Sequence, residues 1–155
     1  MASIEVDFKP VIGSFQIMRV VITAGEKSGF VLAELLSKRL KLINSRIELM
    51  CVNVAKETGT IVGFFEPLTK LIKGYKTIKQ LTETIREMQP DVAVLISFPG
   101  INLPLGKALR SSDIKVIYIS PPQFWAWGRF RVNLLKQASD TVVCLFNFEQ
   151  ELLQR

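Results

Sequence analysis

Apolar residues along the chain fall into short continuous runs separated by segments with helical spacing. Five runs rich in β-branched residues predict strands: QIMRVVITA (16–24), RIELMCVNV (46–54), DVAVLISF (91–98), KVIYIS (115–120) and DTVVCLF (140–146). Continuous runs of this kind are typical of parallel strands that are buried on both faces. Pro10 and Gly13 interrupt any pattern before the first run, so we expect an irregular extension over 1–17 and one domain over 18–155.

Between the runs, apolar residues recur three and four positions apart, which predicts helices. The first helix has an apolar side composed of Val31, Leu32, Leu35, Leu36, Leu40 and Ile43. Two separate helices are predicted over 64–73 and 75–89, two more over 103–112 and 129–139, and a last one after the fifth strand. Strands and helices that alternate in this way predict an α/β fold: a doubly wound, Rossmann-like parallel sheet of about five strands.

Ligands of such sheets bind beyond the carboxyl ends of the strands, which directs attention to the loops that follow them. The loop AGEKSG (24–29) leads into a helix, where backbone amides of Ser28 and Gly29 could hold an anion. Ser28 could equally be the N-cap of that helix. The loop fits neither GxGxxG nor GxxxxGKS/T, which argues against a mononucleotide site. Glu26 places a carboxylate at the mouth of the strand.

Two further loops at this edge hold unusual residues. In SFPGINLP, Asn102 precedes an apolar helix and could either cap its first turn or contact a ligand. In ISPPQFWAWGRFR, Trp125 and Trp127 flank a single alanine, with Gln123 nearby. Such a cluster in a proline-rich loop indicates stacking on a ligand, a lipid or a second domain, and a packed structural corner is the alternative.

The composition narrows the chemistry of this site. The 155 residues include no histidine, which excludes Ser-His-Asp and Cys-His pairs and the HExxH zinc site. Two cysteines without histidine cannot complete a structural zinc site, so we expect neither a metal nor a cofactor. Cys51 and Cys144 lie within apolar runs, and we expect both to be small, unpaired core residues.

The net charge of +6 is consistent with an anionic partner. Segment 64–79 has the composition of a helix lying on anionic lipid, although a core helix with solvated lysines fits equally. Its candidate membrane-facing residues are Phe64, Phe65, Leu68, Lys70, Leu71, Ile72 and Lys73. We expect no nucleic-acid partner, because no nucleic-acid motif is present. Without a membrane-spanning run or a signal-peptide pattern, we expect a cytoplasmic protein with possible contact to the inner membrane surface.

Five segments together resemble the lipid-A-disaccharide synthases, a family of bacterial inverting glycosyltransferases. They are AGEKSG (24–29), GFFEPLTKL (63–71), PDVAVLISFPGINLPL (90–105), IKVIYISPPQFWAW (114–127) and FNFEQELL (146–153). The resemblance implies one half of a GT-B fold and the transfer of diacylated glucosamine from a UDP-sugar to an acylated glucosamine 1-phosphate. It also implies acceptor contacts at Ser28, Gly29, Asn102, Ser120, Gln123, Trp125 and Trp127. In the family, the UDP-sugar is bound mainly by a second, C-terminal domain.

Two departures from the family pattern concern the chemistry. Phe30 stands where the family has an aspartate in its first motif, and Ser97 stands where it has the aspartate that is usually assigned as general base. Neutral Ser97 cannot accept the proton of an attacking hydroxyl at pH 7, which leaves Glu26 as the carboxylate in a matching motif.

Three hypotheses follow from this pattern. The chain is the acceptor-side half of an enzyme that needs a separate donor-binding domain, or it is a non-catalytic module that binds an acyl-sugar or a membrane surface. The third, an unrelated nucleotide-binding Rossmann-like protein, is disfavoured because the chain lacks the glycine fingerprint.

Overall fold

A computed structural model describes residues 17–55, 68–123 and 130–154, with the side chains of 68–75, 131 and 154 excepted. Strands and helices alternate throughout these ranges. In chain order they are β1 (Arg19–Ala24), α1 (Lys27–Ile43), β2 (Glu48–Asn53), α2 (Leu68–Glu87), β3 (Val92–Ile96), α3 (Pro99–Arg110), β4 (Lys115–Ile119), α4 (Phe130–Ala138), β5 (Thr141–Val143) and α5 (Asn147–Gln154).

The five strands form one sheet in the order β2-β1-β3-β4-β5, and every neighbouring pair is parallel. This is a doubly wound order in which the chain reverses its direction of travel between β1 and β3. The register places Val21 beside Ala93 and Thr23 beside Leu95 at this point. The predicted α/β class and strand number are therefore confirmed.

Side chains of alternate strand residues fill two apolar layers, one on each face of the sheet. On one face, Val21, Leu95 and Val116 pack with residues of α2, α3 and α4 such as Ile85 and Leu105. Residues of the second layer lie between the other face and α1: Val20, Ile22, Val94, Ile96, Ala33, Leu36 and Leu40. The sheet is thus covered on both faces, with α1 alone lying on the second face among the described helices.

The apolar side predicted for α1 is divided between the core and the solvent. Leu36 and Leu40 pack against the sheet, whereas Val31, Leu35 and Ile43 are 58%, 55% and 81% exposed. Residues 31 and 35 lie more than a quarter-turn away from the buried side at about 100° per residue. The predicted apolar side of α1 therefore included residues that do not face the core.

Two helix boundaries also differ from the prediction. Residues 68–87 form one continuous helix through Gly74, where two helices had been expected. A single interior glycine costs about 1 kcal/mol and does not by itself end a helix. The helix predicted from 103 begins at Pro99, because proline suits the first helical position, where its missing N–H is not needed.

The two cysteines do not occupy the expected core positions. Cys51 is exposed and Cys144 is only partly buried; both are free thiols. Strand β2 lies at the edge of the described sheet, so its residues have a neighbouring strand on one side only. The apolar run around Cys51 predicted a strand correctly but could not show that this strand lies at an edge.

Candidate functional site

The crevice between β1 and β3 opens at the carboxyl edge of the sheet, where ligands of doubly wound folds bind. Gly25 and Glu26 follow β1, and Ser97 and Phe98 follow β3. Ser97 and Phe98 have φ of 48° and 50°, in the left-handed region that few non-glycine residues adopt. Ser120, which follows β4, shares this geometry with φ 58°. Backbone strain of this kind concentrates at functional sites.

The aromatic ring of Phe98 lies directly against the backbone of Gly25. A Cβ atom at Gly25 would meet three ring carbons at 2.6–2.8 Å, far inside van der Waals contact. Glycine is therefore required here so that the loop after β1 can approach the turn after β3. This contact joins the two sides of the crevice and makes part of its wall apolar.

Asn102 lies beneath the Ser97–Phe98 turn and fixes it from inside the protein. Its side chain is fully buried; its Nδ2 donates to the carbonyl oxygens of Ile96 and Ser97 at 3.0 and 2.9 Å. Its Oδ1 accepts from the Thr23 hydroxyl at 2.9 Å. The predicted capping role is wrong, because Phe98 is the N-cap residue and no side chain caps this helix. Both amide hydrogens point into the protein, so Asn102 positions the turn.

Tyr118 completes this buried network from β4. Its hydroxyl donates to the Ser97 carbonyl oxygen at 2.7 Å, so that carbonyl accepts two hydrogen bonds. Burial raises the pKa of Tyr118 well above its usual value, and the negative charge of Glu26 raises it further. The phenol thus stays protonated and continues to donate. Glu26 follows Gly25, whose backbone lies against the Phe98 ring, so this carboxylate is next to the turn that the network holds.

Glu26 itself is exposed at the amino end of α1. Its backbone is extended, its carbonyl oxygen accepts from the Phe30 amide, and its side chain makes no capping hydrogen bond. The predicted N-cap role of Ser28 is wrong, since Glu26 occupies that position and Ser28 lies exposed within the first turn. A carboxylate at this end of a helix is favoured by the helix dipole. It remains open to a ligand entering the crevice.

The remaining candidates are distributed around this edge. Gly29 is buried, with its Cβ position 3.4 Å from the Ala24 side chain, and Gln123 is exposed beyond β4. Ser120 is partly buried, and its amide donates to Val143 at the end of β5. Several candidates lie outside the described residues or have undescribed side chains: Phe64, Phe65, Leu68, Lys70, Leu71, Ile72, Lys73, Trp125 and Trp127.

Thr23, Phe98 and Tyr118 are parts of the site that the sequence did not single out. A signal was present for two of them, since Thr23 and Tyr118 are polar residues within otherwise apolar strands. Buried polar groups require hydrogen-bond partners, and this requirement could have directed attention to both. Phe98 gives no such signal, because its role depends on a left-handed turn.

At the β1/β3 crevice, the chemistry available from the described residues is that of the Glu26 carboxylate beside a neutral, rigid turn. Among the described residues, no group of three or more His, Cys, Asp or Glu side chains is placed to hold a metal ion. Within the same ranges, no helix combines the length and apolarity needed to cross a membrane.

A cavity of about 590 Å³ lies at the opposite, amino edge, where its lining includes Lys107, Arg110 and Asp140. Arg110 and Asp140 bind each other there at 2.8 Å. Because ligands of this sheet type bind at the carboxyl edge, we place the candidate site in the β1/β3 crevice, not in this cavity.

Comparison with known proteins identifies similar sequences over most of the chain. A family model described as lipid-A-disaccharide synthetase matches residues 20–155. The lipid-A-disaccharide synthase of Coxiella burnetii (strain Dugway 5J108-111) is 31% identical over 148 residues, 88% of this chain and 39% of that protein. That of Myxococcus xanthus (strain DK1622) is 32% identical over 146 residues, 86% of this chain and 38% of that protein. The chain thus spans less than half the length of these curated relatives.

Solved structures share the fold at much lower sequence identity. A structure of S. aureus MnaA with UDP has a TM-score of 0.65 and 14% identity, covering 88% of this chain and 40% of that chain. The UDP-GlcNAc 2-epimerase from Methanocaldococcus jannaschii has a TM-score of 0.66 and 12% identity, covering 89% of this chain and 42% of that chain. These matches confirm the expected Rossmann-like half of a GT-B-type fold.

Proposed function

The chain belongs to the lipid-A-disaccharide synthase family, and from this premise we propose that residues 18–155 are the acceptor-side domain of a glycosyltransferase in lipid A biosynthesis. The substrate that this domain holds is an acylated glucosamine 1-phosphate. One observation carries the proposal: the Phe98 ring lies against Gly25, so Glu26 and the strained Ser97–Phe98 turn lie together at the β1/β3 crevice. Both lie in segments on which the family resemblance depends.

The proposed reaction needs a base and a leaving group. The acceptor hydroxyl attacks the anomeric carbon of a diacylated glucosamine, the bond to the UDP oxygen breaks, and UDP leaves with the electron pair. The hydroxyl proton must pass to a base as the new bond forms. We assign this role to Glu26, because the neutral hydroxyl of Ser97 cannot take it. Acceptor contacts come from Ser28, Gly29, Ser120, Gln123, Trp125 and Trp127, with Asn102 acting from beneath the turn.

The proposal assigns the UDP-sugar to a second domain, in the same polypeptide or in another chain. The support for this division is that the matched region amounts to 39% of the Coxiella burnetii relative. The domain works in the cytoplasm at the inner membrane surface, where the acylated substrate resides and where segment 64–73 contacts lipid. On this proposal, residues 18–155 recognise the acceptor but form little product without the donor-binding domain.

Binding and turnover by the purified chain test this division. Calorimetry should detect binding of acylated glucosamine 1-phosphate and none of UDP. With UDP-diacylglucosamine added, the chain alone should form almost no disaccharide, as measured by thin-layer chromatography. Robust disaccharide formation would contradict the division into two domains, and failure to bind the acceptor would contradict the assignment of the acceptor side.

The second candidate function is a non-catalytic module that binds an acyl-sugar or a membrane surface. The observation that favours it is the neutral Ser97 at the position of the family carboxylate. A single-turnover assay of the chain mixed with a separately added donor-binding domain, at saturating donor concentration, separates the two functions. A half-enzyme gives slow transfer that Glu26→Gln lowers and Ser97→Asp raises, with acceptor binding retained in both variants. If the chain is a non-catalytic module, the wild type and both variants should transfer sugar no faster than a control that contains buffer in place of the chain.

A further inference from the structure

Four exposed apolar side chains lie close together in the chain just after β5. Leu145, Phe146, Phe148 and Leu152 are 55%, 58%, 46% and 38% exposed. The rings of Phe146 and Phe148 stack with their centroids 5.7 Å apart. Phe148 and Leu152 share one side of α5, since residues four apart lie on the same side of a helix. We call these four side chains the aromatic patch.

Glu149 holds the start of α5 in a fixed geometry. Its Oε2 accepts from the backbone amides of Leu145 and Phe146 at 3.1 and 3.2 Å, and its own amide donates to the Phe146 carbonyl oxygen. This reciprocal arrangement is that of a capping box. Glu149 is buried, and Leu153, one turn further along, packs against the apolar layer formed with α2, α3 and α4. Helix α5 is thus anchored by one side and presents the aromatic patch on another.

The aromatic patch lies at the same edge of the sheet as the β1/β3 crevice. All neighbouring strands are parallel, so the segments that follow β3 and β5 leave the sheet at its carboxyl edge. Only β4 separates β3 from β5, which places these two strands about 10 Å apart. A polypeptide that covers the patch would therefore stand beside the crevice.

We propose that the aromatic patch is the surface on which the donor-binding domain docks. This inference rests on the proposed function, in which two domains hold the acceptor and the UDP-sugar. The acceptor hydroxyl must come within bonding distance of the anomeric carbon, so the donor-binding domain has to face the carboxyl edge of the sheet. The region matched by this chain is 39% of the Coxiella burnetii relative, which leaves more than half of that protein for such a domain.

The chemistry of the patch suits a protein partner. Aromatic side chains are enriched at the centres of protein–protein interfaces, and a rigid presentation lowers the entropy lost on binding. Helix α5 contains Glu149 and Glu151 and no basic residue, whereas a helix that lies on anionic lipid carries lysine or arginine beside its apolar side chains. A symmetric dimer through α5 would bring two exposed Glu151 carboxylates onto one interface, which is unfavourable.

Binding of a donor-binding domain to the intact chain tests the docking. The probe is the part of the Coxiella burnetii relative outside the region that this chain matches, and calorimetry with UDP first establishes that the probe is folded. Biolayer interferometry then compares the wild type with Phe146→Ser/Leu152→Ser. The variant should bind the probe about tenfold more weakly or worse, because it loses apolar contacts at the centre of the interface. Phe146→Ser alone should lose about threefold or more, which keeps the test decisive if the double variant unfolds.

The matched control is Val31→Ser/Leu35→Ser, which removes two exposed aliphatic side chains from α1 on the other face of the sheet. It should bind the probe like the wild type. All substituted residues are exposed, so thermal midpoints measured by circular dichroism should stay near that of the wild type. The patch variant should also bind acylated glucosamine 1-phosphate as tightly as the wild type, because the patch lies beside the crevice and not in it.

Four results would overturn the docking. The first is a wild type that does not bind the folded probe, and the second is a patch variant that binds the probe as tightly as the wild type. The third is a wild-type dimer, seen by light scattering, that Phe146→Ser/Leu152→Ser dissociates, which would assign the patch to a second copy. The fourth is flotation of the wild type with phosphatidylglycerol vesicles that the patch variant loses, which would assign the patch to lipid.

Failure of the docking is distinguishable from failure of the proposed function. If the wild type binds the acceptor but the patch variant binds the probe normally, only the docking fails. If the patch variant loses the probe but the wild type does not bind the acceptor, only the acceptor assignment fails.

Discussion

The two ends of α3 are built in different ways. At its amino end, Ser97 and Phe98 have left-handed backbones that buried hydrogen bonds from Asn102 and Tyr118 hold in place. At its carboxyl end, the C-cap residue Ser111 has an ordinary helical φ of −65°. Each left-handed non-glycine residue costs on the order of 1 kcal/mol, and such strain persists only where the surroundings enforce it.

The carboxyl end of α3 uses a partly exposed ion pair. The Arg110 guanidinium contacts Asp140 at 2.8–2.9 Å and also donates to the Lys136 carbonyl oxygen. Asp113, with φ 60° in the nearby turn, is exposed and belongs to the residue types that tolerate this geometry. This end ties α3 to α4 through an ion pair and side-chain hydrogen bonds. The comparison indicates that the amino end is shaped for a ligand and the carboxyl end for stability.

Gly106 lies between the two ends, and its substitution should have the largest effect on stability. A Cβ atom there would meet the Ala138 carbonyl oxygen at 2.3 Å, and backbone cannot move aside as a flexible side chain can. Gly106→Val should lower the free energy of unfolding by more than about 3 kcal/mol, as measured by urea denaturation. Gly100→Ala is the matched control, because nothing lies within 4 Å of its added Cβ. If Gly106→Val left the free energy of unfolding unchanged, α3 and α4 could not be in close contact.

Loss of Asn102 should have the next largest effect and should act on the crevice. Asn102→Ala leaves the buried Thr23 hydroxyl without its partner and removes two hydrogen bonds from the turn. We expect a loss of about 2 kcal/mol in unfolding free energy, together with at least tenfold weaker acceptor binding by calorimetry. At the other end, Asp140→Ala should cost about 1 kcal/mol and leave acceptor binding unchanged. Equal effects of both substitutions on binding would remove the distinction between the two ends.

The buried Tyr118 hydroxyl predicts a pH dependence. Because its pKa is raised in the folded state, the unfolded chain loses this proton first, above its ordinary pKa near pH 10. Below pH 10 this contribution to stability is fully present; above it, unfolding free energy should fall by about 1.4 kcal/mol per pH unit. Tyr118→Phe should cost about 1 kcal/mol at neutral pH and lessen the alkaline loss, both measured by urea denaturation. An unchanged alkaline slope in Tyr118→Phe would contradict the burial of this phenol.

The smallest expected effect is a gain in stability. Ser97→Gly places the residue that accepts a left-handed backbone at φ 48°. Thermal denaturation should show the same or higher stability, by up to about 1 kcal/mol, because the released strain exceeds or balances the greater entropy of glycine in the unfolded chain. A clear loss of stability would mean that the Ser97 side chain, and not strain, governs this turn.

The sequence predicts the sheet well because each strand is an unbroken apolar run such as VAVLI (92–96). It also locates the crevice loops, since Gly25 and Pro99 mark the points where strands end. It does not predict the role of Asn102, whose hydroxyl partner Thr23 lies 79 residues away in the chain. Nor does it predict the exposure of Cys51, because an edge position depends on strand order. Partners that meet only through the fold leave no local pattern.

The central claim is that the acceptor binds at the β1/β3 crevice. Nuclear magnetic resonance of the ¹⁵N-labelled chain, titrated with acylated glucosamine 1-phosphate, tests it most directly. The account predicts saturable shifts of the Gly25, Glu26, Ser97 and Phe98 amides, while those of Arg110 and Lys115 at the amino edge stay unchanged. If the amide signals of the amino-edge cavity shifted while those of the crevice residues did not, this claim would be contradicted.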